Sequence, residues 1–264
     1  MNQVGVIGAG VMGEALIAAL ISYGTAPASI TISEKRKDRA DELRTRYGIK
    51  VEDVATNVSK ADALLLVVKP QDMATVLDEI KGSINKSAVV ITFAAGKKIS
   101  FIEQGLGTGN PVVRVMPNTP TLVGAGMAAI SLGAGVSADQ SKFVSGFLAA
   151  TGKVIEVSED LQDAVTATSG SGPAYFFRFV EAMVDGAKAL GLSDADATTL
   201  TVQTIVGAAK LLDESGKSAT TLRENVTSPN GTTAAALASF ESHQLGDVVA
   251  QAMKAARDRS QELA

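Results

Sequence analysis

Three glycines close to the N-terminus have a spacing that is typical of phosphate binding. Gly8, Gly10 and Gly13 form the pattern G-x-G-x-x-G, with an apolar run before it and helical spacing of apolar residues after it. In such a turn the first glycine allows the tight bend, the second lets a pyrophosphate approach, and the third lets the helix pack on the strand. The helix opens with Val11 and Met12, and its free N–H groups face the phosphates. We therefore predict a dinucleotide site; the alternative is a turn that binds no ligand.

The end of the second predicted strand, at residues 29–33, decides between NAD and NADP in this class of fold. An acidic side chain there binds the ribose 2′-hydroxyl of NAD, whereas basic side chains bind the extra phosphate of NADP. The chain has both, in the order Ser33-Glu34-Lys35-Arg36. We predict that Ser33, Lys35 and Arg36 form a phosphate cradle while Glu34 turns outward, so that NADPH is the cofactor and NADH the alternative. In the competing interpretation, Lys35 and Arg36 only begin a solvated helix.

Three further predicted strands, at residues 63–68, 88–93 and 112–116, end in residues that suit a ligand-binding edge. The alternation of strands with helical stretches predicts a doubly wound parallel sheet, and ligands bind beyond the carboxyl ends of such strands. Small residues after the middle strand would leave room for a nicotinamide ring. The residues that these ends add to the predicted cofactor site are Val68, Lys69, Pro70, Ala94, Ala95, Gly96 and Asn118.

A hydroxyl-rich loop nearer the C-terminus is the second place where the sequence predicts anion binding. Pro229 ends the preceding helix, Asn230-Gly231 makes a turn, and a new helix begins with Thr232 or Thr233 near its cap. Backbone N–H groups at a helix start are available to an anion. With a single glycine, the loop suits a small carboxylate better than a pyrophosphate. The residues alone leave a carboxylate site and a simple capped helix connection equally open.

The elements that must position these residues fall into two parts. Residues 1–158 have the pattern of an α/β Rossmann domain with a doubly wound, mainly parallel sheet, and we predict that they bind NAD(P). Strands then disappear, with Ser158 as the predicted N-cap of the next helix, and residues 159–264 predict an all-α domain for dimerisation and substrate binding. Its segment 174–190 is apolar nearly all round, and such a helix must be buried on all sides. We therefore predict a homodimer.

Composition narrows the possible chemistry. Of the 264 residues 46% are hydrophobic and 20% are charged, and the net charge of −4 argues against a nucleic-acid partner. The chain has no cysteine, which excludes disulfides, thiolate catalysis and Cys-ligated zinc, and we predict no metal site. Its one histidine, His243, lies among polar residues and is expected at a surface or an interface. Without a signal-peptide pattern or a long apolar run, we expect a cytoplasmic protein that does not associate with membranes.

Over its whole length, the chain closely resembles the pyrroline-5-carboxylate reductase family. The most specific part is the segment from Leu222 to Thr233, continuing to Glu241, which looks like that family's signature. Four other blocks look like family blocks: Val68-Lys69-Pro70-Gln71, Ala94-Ala95-Gly96, Met116-Pro117-Asn118-Thr119-Pro120 and Ser169-Gly170-Ser171-Gly172-Pro173-Ala174-Tyr175. The resemblance implies reduction of (S)-1-pyrroline-5-carboxylate to L-proline with NADPH or NADH, the last step of proline biosynthesis. It also implies a helical domain that interlocks two subunits, and dimers that often assemble into decamers.

The resemblance implies roles for single residues as well. The residues that would hold the substrate are Ser228, Gly231, Thr232 and Thr233. Ser228, Gly231 and Thr232 would bind the substrate carboxylate, the last two through their backbone N–H groups. Thr233 would bond the ring nitrogen. Asn57 looks like the family residue that contacts the adenosine ribose. Asn230 departs from the glycine of many members, and it fits if its backbone is left-handed, which asparagine adopts more readily than most residues.

Reduction of a cyclic C=N bond suits a site without a catalytic histidine or cysteine. It needs a hydride on one face and a polarised nitrogen, so Thr233 can orient the nitrogen and is the candidate proton donor. Positioning two bound partners can supply a large share of the catalysis. A β-hydroxyacid dehydrogenase would carry a lysine on the helix after Gly172, but the next lysine is Lys188. A non-catalytic nucleotide sensor would add a partner-binding element, and none is visible in the sequence.

Overall fold

The computed structural model describes residues 1–263, which form two compact units. The first unit comprises Met1–Ser171 together with the C-terminal segment from Ala256, and the second comprises Gly172–Ala255. The sequence pattern changes at 158/159, whereas the compact units divide at 171/172. No helix within residues 1–263 is both long and apolar enough to cross a membrane.

The first unit extends beyond residue 158 because the following residues still pack on its sheet. Gln162 is fully buried, and its Nε2 donates hydrogen bonds to Ser131 Oγ at 2.8 Å and to the Ala129 carbonyl oxygen at 3.3 Å. Ser158 precedes a short 3₁₀ turn, Glu159–Leu161, and its side chain makes no capping hydrogen bond. Ser158 therefore occupies the predicted N-cap position, but it precedes a 3₁₀ turn and its side chain does not cap that turn.

An eight-stranded sheet forms the centre of the first unit. Its strands lie in the order β3-β2-β1-β4-β5-β6-β7-β8, and only the β6–β7 pair is antiparallel. The predicted mainly parallel, doubly wound sheet is thus confirmed. The strands are β1 Val4–Ile7, β2 Ile30–Ser33, β3 Lys50–Val51, β4 Ala63–Leu66, β5 Val89–Thr92, β6 Val112–Met116, β7 Gly126–Leu132 and β8 Gly152–Glu156.

Helices cover both faces of this sheet, and apolar side chains bury the central strands on both sides. Val4 and Val6 of β1 pack with Leu16 and Leu20 of α1 on one face, and Leu64 of β4 packs with the opposite layer. This double burial explains why these strands have continuous apolar runs. The helices of the first unit are α1 Val11–Ser22, α2 Lys37–Tyr47, α3 Val54–Lys60, α4 Met73–Ile80, α5 Ile99–Leu106, α6 Ala138–Ala149 and α7 Gln162–Val165.

The second unit is entirely helical, as the sequence predicts. Ser193 caps α9, since its Oγ accepts from the backbone N–H of Asp196 at 3.1 Å. The apolar helix expected at 174–190 runs from Gly172 to Ala189, and the side chains of Phe176 and Phe177 are more than 60% exposed on a single chain. The helices are α8 Gly172–Ala189, α9 Asp194–Glu214, α10 Ala219–Asn225, α11 Thr232–Ser242 and α12 Leu245–Glu262, the end of which belongs to the first unit.

Candidate functional site

A cavity of about 590 Å³ lies in the first unit beside the carboxyl ends of β1, β2 and β4. This is the place where strand order reverses in a doubly wound sheet, and where such sheets bind ligands. Seven of the predicted cofactor residues line it: Gly8, Gly10, Ser33, Lys35, Arg36, Val68 and Lys69. The cavity also includes Glu52, Asp53 and Val54, which the sequence analysis did not identify.

The glycine turn has the geometry that each of its three glycines predicts. Gly8 has a φ of +87°, and a Cβ on it would lie 2.6 Å from the carbonyl oxygen of Val67. A Cβ on Gly13 would lie 2.5 Å from the Gly8 carbonyl oxygen, whereas one on Gly10 would meet no atom within 4 Å. The turn is therefore bent at its first glycine, open at its second, and packed against the helix at its third. Open space above a backbone at the entry to a helix fits a pyrophosphate.

The first turn of α1 follows this open space directly. Gly10 is the N-cap of α1, so Val11 and Met12 are its first helical residues. The N–H groups of a first turn have no partner within the helix. Val11 is 67% exposed, and neither of the two side chains lines the cavity. Their predicted contribution to cofactor binding therefore depends on the backbone and not on the side chains.

Ser33 and Asn57 form a hydrogen-bonded pair at one side of the cavity. Ser33 Oγ donates its single proton to the carbonyl oxygen of Glu52 at 3.0 Å and accepts from Asn57 Nδ2 at 3.0 Å. Asn57 is only 2% exposed, and its Oδ1, which has no hydrogen-bond partner in the described chain, faces the α-carbon of Gly5. The asparagine thus lies beneath the cavity and holds Ser33, whereas the resemblance implied a direct contact with the ribose.

Glu34 turns inward, which corrects the prediction that it turns outward. Its Oε2 accepts from the backbone N–H of Ala9 at 2.9 Å, and its Oε1 accepts from the backbone N–H of Arg36 at 3.0 Å. Its side chain is only 12% exposed. A hydrogen bond from a backbone N–H to a carboxylate is about twice as strong as a neutral one. The backbone N–H of Ala9, in the glycine turn, therefore attracts the Glu34 carboxylate.

The loops after β5 and β6 are held by partners distant in the sequence. Gly96, with a φ of +76°, is buried, and a Cβ on it would lie 3.0 Å from atoms of Ser260 and Leu263. Its small size therefore accommodates Ser260 and Leu263 at a position where the sequence predicts space for a nicotinamide ring. Asn118 Oδ1 accepts from the Met127 backbone N–H at 2.9 Å, and its Nδ2 donates to Ser169 Oγ at 3.2 Å. In the loop after β5, Ala94 is buried and Ala95 is partly buried. In the loop after β4, Pro70 begins a 3₁₀ turn.

A buried arginine connects these loops to the residues after 158. Arg114 of β6 is 4% exposed, with its Nη1 at 3.3 Å from Glu159 Oε1 and its Nη2 at 3.6 Å from Asp163 Oδ1. Glu159 also accepts from the Ile99 backbone N–H at 2.7 Å, and Asp163 accepts from Ser260 Oγ at 2.7 Å. This cluster was not predicted from the sequence. A single charge within the apolar strand Val-Val-Arg-Val-Met was the available signal, because buried charges are paired.

A second charged cluster connects α1 with α2 next to the glycine turn. Glu14 accepts hydrogen bonds from Arg39, Arg46 and Tyr47. Burial by itself raises the pKa of Glu14, but these hydrogen bonds outweigh burial, and the pKa lies below its ordinary value. Glu14 therefore stays ionised at neutral pH. Glu42 pairs with both arginines as well.

The predicted carboxylate loop lies in the second unit. The backbone N–H of Gly231 donates to the Ser228 carbonyl oxygen at 3.0 Å, which closes a four-residue turn. Pro229 is its second residue and Asn230, with a φ of 56°, its third, an arrangement typical of a type II turn. The expectation that Asn230 is left-handed is thus confirmed.

This turn also changes the expected role of Gly231. Its N–H is engaged within the turn, so it is not the free donor that the resemblance implied. Gly231 is the N-cap of α11, which begins at Thr232, and the N–H groups of Thr232 and Thr233 belong to the first turn of that helix. These two N–H groups and the exposed Ser228 hydroxyl are donors that this loop offers to an anion. Together they fit a small anion.

Comparisons with known proteins cover both units. Residues 159–263 match the family model described as pyrroline-5-carboxylate reductase dimerisation, and residues 3–96 match one described as NADP oxidoreductase, coenzyme F420-dependent. The chain is 43% identical to a pyrroline-5-carboxylate reductase of Corynebacterium melassecola, over 100% of this chain and 99% of that protein. The chain belongs to the pyrroline-5-carboxylate reductase family. The resemblance found in the sequence is confirmed, and the chain is an NAD(P)H-dependent oxidoreductase.

Solved structures of the pyrroline-5-carboxylate reductase family agree with this assignment. The structure from Coxiella burnetii has a TM-score of 0.92 and 36% identity, over 100% of this chain and 98% of that chain. A structure from Plasmodium falciparum with NADP bound has a TM-score of 0.88 and 29% identity, over 99% and 98% of the two chains. A nicotinamide dinucleotide as cofactor and a homo-oligomeric assembly are consistent with these relatives and with the dimerisation model.

Proposed function

We propose that this protein reduces the C=N bond of (S)-1-pyrroline-5-carboxylate to give L-proline, the last step of proline biosynthesis. The observation that carries the proposal is the 43% identity to a pyrroline-5-carboxylate reductase over the full length of the chain. The glycine turn, with its open space above Gly10, supports the binding of the hydride donor. We further propose that residues 1–158 bind this cofactor, and that residues 159–264 serve dimerisation and substrate binding.

The carboxylate loop supplies the groups that orient the substrate. In this proposal the Ser228 hydroxyl and the Thr232 N–H bind the substrate carboxylate, while Gly231 shapes the turn. The Thr233 hydroxyl accepts a hydrogen bond from the N–H of the protonated ring nitrogen and so orients it, and Thr233 is the proposed catalytic residue. A bound nicotinamide would supply a hydride to the imine carbon, and the nitrogen of the protonated imine would take up the C=N π electrons to give the amine. No strong general base is needed, because a protonated imine is already an electrophile.

Activity with the purified protein tests the proposed function. We expect oxidation of NADPH, followed by its absorbance, to depend on added pyrroline-5-carboxylate and to produce proline. Ser228→Ala should raise KM for the imine acid by about tenfold or more, since a hydrogen bond to a charged group contributes roughly 1.5–3 kcal/mol. Ser242→Ala is a suitable control, because Ser242 Oγ bonds only within its own helix end, to the Ser239 carbonyl oxygen and His243 Nδ1. Binding of NADPH without turnover would contradict the proposal and favour a sensor.

We propose NADPH as the preferred reductant, with NADH as the alternative. The cations that support this proposal are Lys35 and Arg36, which both line the cavity. Ser33 contributes less to binding a 2′-phosphate than expected, because its hydroxyl proton is donated to the backbone carbonyl oxygen of Glu52. The cavity is also lined by five carboxylates, Glu34, Glu52, Asp53, Asp72 and Glu79, so these cations have to offset a negative surrounding for a 2′-phosphate to bind.

Replacing both cations should therefore alter the choice of cofactor. The double variant Lys35→Met and Arg36→Met should lose NADPH affinity by about tenfold or more, at roughly 1.5–3 kcal/mol per charged hydrogen bond, and should keep NADH affinity within about twofold. Titrations with both cofactors, side by side, measure this. An equal loss for the two cofactors, or no loss, would show that neither side chain contacts the phosphate.

We propose that the homo-oligomer contains a homodimer formed through the second unit, and that this dimer assembles further into a decamer. Exposed apolar side chains on four of its helices support the dimer, because large exposed apolar surfaces mark interfaces. They include Phe176, Phe177, Leu200, Val206, Phe240 and Val248. We propose the cytoplasm as its location, which the absence of cysteine fits.

A further inference from the structure

Ala9, the residue between the first two glycines of the turn, is held from two sides. Its backbone N–H donates to Glu34 Oε2 at 2.9 Å, and its carbonyl oxygen accepts from Arg39 Nε at 3.2 Å. Ala9 itself is fully buried, and the side chain of Arg39 is 13% exposed. The contacts come from Glu34, which directly follows β2, and from Arg39 of α2, 25 and 30 residues later in the chain. The backbone of the turn is therefore oriented by side chains outside the glycine motif.

The planarity of the peptide bond determines what these contacts achieve. In a trans peptide the carbonyl and the following N–H lie in one plane and point in opposite directions. Because Glu34 holds the N–H of Ala9, the Gly8 carbonyl points the other way, towards the α-carbon of Gly13, as the close approach there shows. Because Arg39 holds the carbonyl of Ala9, the N–H of Gly10 points away from α2. Gly10 lines the cavity.

We infer that Arg39 is a positioning residue for the bound dinucleotide. It acts through the Ala9 carbonyl and keeps the Gly10 N–H and the start of α1 aligned for the phosphates. The inference rests on the proposed function only in that the cavity binds a nicotinamide dinucleotide. Arg39 lines neither the cavity nor the open space above Gly10. It therefore acts only by holding the backbone of the turn in place.

The guanidinium group is required because three acceptors surround it. Arg39 donates through Nε to Ala9, through Nη2 to Glu14 and through Nη1 to Glu42, the last at 2.7 Å. The two carboxylates fix the plane of the guanidinium, and this plane aims Nε at the carbonyl. A lysine has no fork of this kind, since its ammonium is a single point of charge on a flexible stem.

Arg46 provides a matched control on the same helix. It pairs with the same two carboxylates, Glu14 and Glu42, but its side chain is 51% exposed and makes no contact with the turn. Arg39→Met and Arg46→Met therefore remove the same charge from the same cluster. Only the first variant removes the bond to Ala9.

The test is the dissociation constant of NADPH, measured by calorimetry on the full-length protein. We expect Arg39→Met to weaken NADPH binding by about tenfold, as for a hydrogen bond to a charged group. Both kcat at saturating NADPH and KM for the imine acid should stay within about twofold of wild type. Arg46→Met should bind NADPH within about twofold of wild type. Arg39→Lys should fail to restore tight binding, which also keeps the test decisive if the methionine variant does not fold.

Three results would overturn the inference: unchanged NADPH binding by Arg39→Met, an equal loss in Arg46→Met, or full affinity in Arg39→Lys. A fall in kcat at saturating NADPH would also count against it, because a positioning role at the phosphates acts on binding. If the wild type binds NADPH but does not reduce the imine acid, the proposed reaction fails while the inference about Arg39 stands, since its readout needs no substrate.

Discussion

Replacing Gly8 with alanine is expected to weaken dinucleotide binding by more than about a hundredfold. Two costs add at this position, because the φ of +87° is strained for any residue with a Cβ, and that Cβ would lie 2.6 Å from the Val67 carbonyl oxygen. The left-handed backbone alone costs roughly 1–2 kcal/mol. The clash must in addition move β1 or the loop after β4, and both border the cavity. Calorimetric titration with NADPH measures the loss.

Gly24 offers a control that separates strain from position. It has a φ of +105°, but a Cβ there would meet no atom within 4 Å, and it does not line the cavity of the glycine turn. Gly24→Ala should therefore lower the melting temperature but leave the dissociation constant of NADPH unchanged. If Gly8→Ala binds NADPH as tightly as Gly24→Ala does, the glycine turn is not the phosphate site.

Arg114→Met is expected to produce the largest loss of stability. The arginine is buried between Glu159 and Asp163, and its removal leaves two partly buried carboxylates without their shared cation. Breaking a buried ion pair on one side costs about 3–5 kcal/mol. The midpoint of urea unfolding, measured at one protein concentration because the protein is oligomeric, should fall accordingly.

Lys81→Met is the matched control, since Lys81 forms an exposed pair with Asp78 at 2.8 Å. Exposed pairs of this kind contribute about 0–1 kcal/mol, so this variant should unfold close to wild type. Adding Glu159→Gln and Asp163→Asn to Arg114→Met should recover part of the loss, because no unpaired charge then remains. Equal midpoints for Arg114→Met and Lys81→Met would show that the buried cluster contributes no more than a surface pair.

The elements that the sequence predicted best are those whose pattern is local. The apolar runs of β1 and β4 are buried on both faces, and the glycine spacing at Gly8–Gly13 is specific to one kind of turn. Strand β7 was missed because Gly126–Leu132 contains glycine and two alanines, which have low strand propensity, and tertiary burial overrides that preference. Helix α3 has a short signal that was overlooked, since Asp53 caps it through the Thr56 N–H at 2.9 Å.

The parts of the site that could not be predicted depend on contacts between residues distant in the sequence. The inward turn of Glu34 follows from its hydrogen bond with the Ala9 N–H, twenty-five residues earlier, which no pattern around Glu34 reveals. The packing of Gly96 could not be predicted either, because its neighbours Ser260 and Leu263 are distant in the sequence. In contrast, the turn at Ser228–Gly231 is local, because Pro229 and Asn230 both favour it, and the sequence therefore predicted it.

The packing of Ser260 and Leu263 against Gly96 has a consequence for synthesis on the ribosome. A domain made of one continuous stretch can fold as soon as that stretch emerges, and domains generally fold as units from the N-terminal end. The first unit here also includes residues from Ala256 onward, so the loop after β5 lacks Ser260 and Leu263 as partners until these residues have been synthesised. A nascent chain halted before residue 256 should therefore contain an incomplete Rossmann domain, and we expect tight cofactor binding only in chains that include residues 256–263.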